Sequence, residues 1–122
     1  MIEITMDTKE FLVMVKGHAL PEESPMNKET CAAASMLTQG LAHSLAKFEA
    51  TQNAILQFDY RDEPGNMLLH VIPAKWAEAA TRKRMRTYGD GMELLAMSNP
   101  ESVQMIWDGK PVKPEEGEKE DE

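Results

Sequence analysis

The sequence predicts a two-layer α+β domain with the order β-β-α-β-β-α and, optionally, a short last strand. Two observations carry this. Short runs of alternating or branched apolar residues come in pairs, at 2–15 and at 55–72. Each pair precedes a longer segment whose apolar residues recur every three or four positions. Two adjacent strands followed by a helix, used twice, place both helices over one face of a mainly antiparallel sheet. A chain of 122 residues with 42% hydrophobic residues fills one domain with its own core. That domain is placed at 1–108, and an acidic tail at 109–122 is expected to be disordered.

Ile2 and Ile4 alternate with Glu3 and Thr5, as in a strand with one buried face. Asp7-Thr8-Lys9 is turn-like, and the apolar run Phe11 to Val15 reads as a more central strand paired with the first. Gly17 ends it. Leu20 to Met26 is a Pro- and Glu-bearing loop. The first helix then runs to about Ala50, with Ala34, Leu37, Leu41, Leu45 and Phe48 as its apolar stripe. Asn27 or Thr30 fits as its N-cap, and Ser24-Pro25 offers a rival start. Gly40 is either a small penalty inside this helix or a close packing contact.

Ile55 to Tyr60 and Met67 to Ile72 read as two strands around the breakers Arg61 to Asn66. A second helix is expected over 74–97, with Trp76, Ala80, Met92 and Leu95 in the core. Gly89-Asp90-Gly91 should kink or break it. Asn99-Pro100 ends it, Ser102 to Trp107 is the optional last strand, and Asp108-Gly109 is a turn. With one sheet face covered, the other is left for solvent or a second copy, so a homodimer is expected.

Charge and composition exclude several classes. The net charge is −8, from 21 acidic and 13 basic residues. Residues 113–122 hold six acids and two bases. So acidic a chain is a poor nucleic-acid binder. The basic run Arg82-Lys83-Arg84-Met85-Arg86 reads as a solvated helix face. No apolar run approaches the roughly 18–20 residues that span a bilayer. Met1-Ile2-Glu3-Ile4 has neither the basic nor the apolar region of a signal peptide, so a cytoplasmic setting is expected. Three scattered histidines and one cysteine lack metal-ligand spacing. No cofactor loop is present, so neither metal nor cofactor is expected.

The chemistry-bearing pattern is Gly17-His18-Ala19, then Cys31-Ala32-Ala33-Ala34-Ser35. Cys31 is the single cysteine, so it cannot form an internal disulfide. A lone cysteine is most often a small core residue. A helix start at Asn27 or Thr30 would put Cys31 in the first turn, where unpaired N–H groups favour a thiolate and bind an oxyanion. A start at Ser24 would put it in the second turn, where that effect fades. His18, at a strand end, is the candidate base, because a thiol nucleophile needs an imidazole partner. Ser35 lies four residues past Cys31 on the same helix face. His43 and His70 match no motif position and are read as structural.

At these residues the chain resembles the ribosomal-processing cysteine proteases, the Prp family. That family carries Gly-His-Ala at a strand end, a short loop, and Cys-Ala-x-x-Ser opening a helix. Its order of elements is also similar along this chain to about residue 107. The resemblance implies a homodimeric cysteine endopeptidase that removes a short N-terminal extension from a ribosomal protein, or trims a phage capsid or scaffold protein. It implies Cys31 as nucleophile, His18 as general base and acid, and Gly17 and Ser35 in support. The segment Ala19 to Thr30 departs from the family in holding no Gly and no Asp, with Lys28 where an aspartate is usual. That departure favours the alternative, a non-catalytic dimeric binding module on ribosomal or phage proteins.

Overall fold

The computed structural model describes residues 1–17 and 25–114, with side chains from residue 29 onward in the second span. The element order is β1 (Ile2–Asp7), β2 (Leu12–Lys16), α1 (Pro25–Gln52), β3 (Ile55–Glu63), β4 (Asn66–Pro73), a 3-10 turn (Lys75–Ala77), α2 (Glu78–Ser98), β5 (Val103–Trp107) and β6 (Lys110–Val112). The six strands form one sheet in the order β3-β4-β2-β1-β5-β6. All neighbours are antiparallel except β1 and β5, which run parallel from Ile2 opposite Val103 to Met6 opposite Trp107. The predicted α+β class, with a mainly antiparallel sheet, is the observed one.

Period-two alternation sets the sheet's two faces. Ile2, Ile4 and Met6 of β1, Val13 and Val15 of β2, Met67, Leu69 and Val71 of β4, and Val103 and Met105 of β5 are all buried. They meet Ala34, Leu41, Leu45 and Phe48 of α1 and Met85, Met92 and Ala96 of α2 in one core. On the opposite face, Met14 lies opposite Leu68 and Leu12 opposite His70, all four half-buried.

Four expectations need correction. Trp76 is 62% exposed rather than in the core; its ring packs edge-on against Phe48 at 6.0 Å and 81°. The second helix is not broken at its glycines. A Cβ on Gly89 would come within 2.8 Å of Met6 Sδ and of the Trp107 ring, and one on Gly91 within 2.8 Å of Leu37. Those glycines let α2 lie close to the sheet and to α1, so packing outweighs their poor propensity. Gly40 is likewise a contact position, against Tyr88.

Third, the breaker segment 61–66 is mostly strand. Pairing continues through Glu63 opposite Asn66, and only Pro64-Gly65 turn, with Gly65 at φ 74°. Finally, β6 falls inside the segment assigned to a disordered tail. Asp108 and Gly109, at φ 50° and 83°, reverse the chain, and Val112 pairs with Met105. Residues 115–122 lie outside the described residues.

Candidate active site

The end of β2 is pinned on two sides. Gly17 donates its N–H to the Gly65 carbonyl at 3.0 Å, which ties it to the β3–β4 turn. Its φ of 97° lies in the left-handed region, and a Cβ there would run into the Met1 carbonyl oxygen. Only glycine meets both conditions without strain. The motif's leading residue is thus fixed by backbone geometry. His18, the candidate base, lies outside the described residues, as does Ala19.

Cys31 sits on α1 with its side chain half-buried against the core. Helix α1 begins at Pro25, so the rival start holds and Cys31 is its seventh residue. The N–H groups without intrahelical acceptors are those of the first turn. Cys31 therefore gains little from the helix end, and the expectation of first-turn activation is corrected. Ser35 stands one turn further on, on the same flank, and Ala34 beside it is buried in the core.

Gly17, Cys31 and Ser35 line one cavity of about 280 Å³. Ile2, Val15 and Met67 give it an apolar floor. Asp62 and Glu63, at the end of β3, complete its lining on that side. Three of the four sequence-predicted site residues thus share one cavity, although Gly17 and Cys31 are fourteen positions apart. The pairing of β2 with β4 carries this: it sets Val15 opposite Met67 and Lys16 opposite Asn66.

Asp62 was missed as a site residue because 61–66 reads as a turn. The available signal was the alternation Phe58, Tyr60, Asp62, which continues one strand face into a carboxylate. The Asp62 side chain is held in place. Its Oδ2 accepts Gln39 Nε2–H at 3.0 Å and the Tyr60 hydroxyl at 3.4 Å. Burial, the Asp62 charge and that hydrogen bond together raise the Tyr60 phenol above its ordinary value.

Among the described residues, no group of three His, Cys, Asp or Glu side chains is placed to hold a metal ion. No helix among them is long and apolar enough to cross a membrane.

Fold and cavity define an α+β domain with its one thiol lining a cleft. No protein-family model matches the chain, and a search of curated proteins gives no match either. Solved structures do match. The essential ribosomal processing protease Prp from S. aureus, in complex with a substrate peptide, superposes with a TM-score of 0.63 at 13% identity, covering 87% of this chain and 96% of that one. The same protease with a covalently linked product peptide gives 0.60 at 15% identity, with coverage of 87% and 96%. The protein SMU.848 from Streptococcus mutans gives 0.61 at 16% identity, with coverage of 87% and 90%. The chain therefore has the Prp fold over most of its length.

Proposed function

We propose that this chain is a cysteine endopeptidase that trims a short N-terminal extension from a ribosomal or phage structural protein. The observation that carries the reading is the cavity where Gly17 meets Cys31 and Ser35. The two ends of the Gly-His-Ala and Cys-Ala-x-x-Ser pattern face one space, in a fold shared with a peptide-cleaving enzyme. Cys31 Sγ attacks the scissile carbonyl carbon, and His18, next to Gly17 in the chain, takes the thiol proton. The tetrahedral intermediate collapses, the C–N bond breaks, and His18 returns the proton to the leaving amine. Water then hydrolyses the thioester, with His18 again as base. Gly17 keeps the strand end close, and Ser35 supplies a polar group beside the thiol.

Because Cys31 stands in the second helical turn, its activation rests on His18 rather than on the helix end. This sets the test. Iodoacetamide should alkylate Cys31 much faster at neutral pH than it alkylates an ordinary exposed thiol, and His18→Ala should abolish that excess. Candidate ribosomal and phage precursors should be cut by the wild type and not by Cys31→Ala. An ordinary thiol with no cleavage instead fits the second reading, a peptide-binding module of the same fold, which the Gly- and Asp-free segment 19–30 favours.

A homodimer belongs to the same proposal. Its support is the uncovered sheet face, where Leu12, Met14 and Leu68 are half-buried and Ile72 and Ile106 are exposed. Light scattering should give a dimer mass that Leu68→Lys converts to a monomer. A cytoplasmic setting completes the reading, consistent with one cysteine and no disulfide.

A further inference from the structure

The cavity at Cys31 does not stand alone. A second, largely apolar depression of about 340 Å³ runs between α1 and the edge strand β3. Ala42, His43 and Ala46 form one wall, and Phe58 and Tyr60 the other. Asp62 lines both spaces, so they adjoin. Cys31, Ser35, Gln39, Ala42 and Ala46 recur at three and four residues and lie along one flank of α1. The fifteen helical steps from Cys31 to Ala46 measure about 22 Å. An extended chain of six or seven residues has that length.

Two further features describe the occupant. Strand β3 ends the sheet among the described residues, so one side of its backbone has no strand partner among them, and its pairing with β4 is regular from Gln57 to Glu63. Such an edge accepts an extended peptide as an added strand. The charge is one-sided. The Asp62 carboxylate lies at the end next to Cys31, and no Lys or Arg lines either space among the described residues. Arg61 points to the other face of β3, where it pairs with Asp59 at 3.7 Å. Gln39 and Tyr60 fix the direction of the Asp62 carboxylate before any ligand arrives.

We infer that this groove is the substrate channel, and that it takes an extended peptide carrying a basic residue at Asp62, close to Cys31, and an apolar side chain between Ala46 and Phe58. The inference rests on the endopeptidase reading for its direction toward Cys31. It adds the substrate's chemistry: a basic residue near the cut and an apolar one further along, on a strand that pairs with β3. The segment's acidic lining rejects peptides with Asp or Glu at that place by like-charge repulsion.

The test uses the full chain as its Cys31→Ala variant, so that binding is read without turnover. The probes are fluorescein-labelled nonapeptides of Ser and Ala with one Leu and one Arg at every relative spacing, beside counterparts with Glu for Arg. Anisotropy should show the best Arg peptide binding roughly threefold to tenfold tighter than its Glu counterpart, as exposed ion pairs allow, and less so at high salt. Asp62→Lys should cancel or reverse that preference. Ala46→Trp, at an exposed position outside the core, should fill the groove and weaken binding by about tenfold or more.

Equal binding of Arg and Glu peptides, binding untouched by Ala46→Trp, or no binding at millimolar peptide would each overturn the inference. Incubating the same peptides with the wild type separates the two proposals. Charge-selective, Ala46-dependent binding without cleavage removes the endopeptidase and keeps the groove. Cleavage indifferent to charge and to Ala46→Trp removes the groove and keeps the endopeptidase.

Discussion

Asp108 holds Thr8 through both of its carboxylate oxygens, although the two residues are a hundred positions apart: Oδ1 accepts the Thr8 N–H and Oδ2 the Thr8 hydroxyl, each at 2.7 Å. The Thr8 carbonyl in turn accepts Arg82 Nε–H at 3.1 Å, and the Arg82 guanidinium lies 4.7 Å from the centre of the Phe11 ring. The β1–β2 turn, α2 and the β5–β6 turn are thus tied at one corner. Thr8 is only 3% exposed, so losing its partner leaves a buried N–H unsatisfied. Asp108→Ala should cost about 2–3 kcal/mol, and Asp108→Asn, which keeps an acceptor, about half of that. In thermal unfolding the alanine variant should melt roughly 6–12 °C lower. A shift under about 2 °C would show that the corner contributes nothing.

Two glycines of α2 should respond oppositely to alanine. At Gly89 the new methyl meets two side chains at once, the fully buried Met6 and the rigid Trp107 ring. Overpacking there costs about 1–3 kcal/mol, against a propensity gain of roughly 1. Gly91 faces only Leu37, a half-buried side chain that has room to turn away. Gly91→Ala should therefore be neutral or stabilising by up to about 1 kcal/mol, and Gly89→Ala destabilising. Urea midpoints of the two variants side by side check this; the same sign for both would sink the packing account.

The same glycines show what was legible in the sequence. The strand pairs and the stripe Ala34, Leu41, Leu45, Phe48 were readable because burial on one face imposes a period that no loop imitates. Gly89 and Gly91 were misread because local propensity opposes a helix there, and only the approach of Trp107 and Leu37 explains them. Strand β6 hides in a charged segment because it is short and edge-exposed, and is held by pairing with β5 rather than by composition. Trp76 reads as a core residue of the second helical segment, yet its ring packs on Phe48 at the surface. Arg84 stacks on the same Phe48 ring at 3.9 Å, so two members of the basic run serve packing instead of facing water alone. At the site, Gly17, Cys31 and Ser35 were visible as a pattern. Asp62 became visible only through the register of β3 on β4.

Tyr60 offers a pH readout of the channel. Its phenol is raised above the ordinary value of about 10 by burial, by the Asp62 charge and by their hydrogen bond. A proton held more tightly in the folded state stabilises it below the unfolded value. That contribution fades as pH rises from about 10 through the folded value. In a Tyr88→Phe background, where Tyr60 is the single tyrosine, absorbance at alkaline pH should report ionisation above 10. Asp62→Asn should bring it down by removing the charge. An unchanged midpoint would mean that Asp62 does not face the phenol in solution. A basic peptide in the channel should lower it as well, by neutralising the same carboxylate.

Gly17 and Gly109 separate strain from collision. Both have left-handed backbones, at φ 97° and 83°, but a Cβ on Gly109 meets nothing within 4 Å, while one on Gly17 meets the Met1 carbonyl. Gly109→Ala should cost only the left-handed penalty, about 1–2 kcal/mol. Gly17→Ala should add the displacement of the β1 start, for about 2–4 kcal/mol in all. The consequences for Cys31 should differ more sharply. Gly17 lines the Cys31 cavity and is tethered to Gly65, so shifting it opens the space between β2, the β3–β4 turn and α1. The alkylation rate of Cys31 at fixed pH should change several-fold in Gly17→Ala and stay at the wild-type value in Gly109→Ala, both measured well below their melting points. Equal destabilisation by the two, with identical thiol reactivity, would mean that Gly17 is a turn residue like any other and has no part in shaping the site.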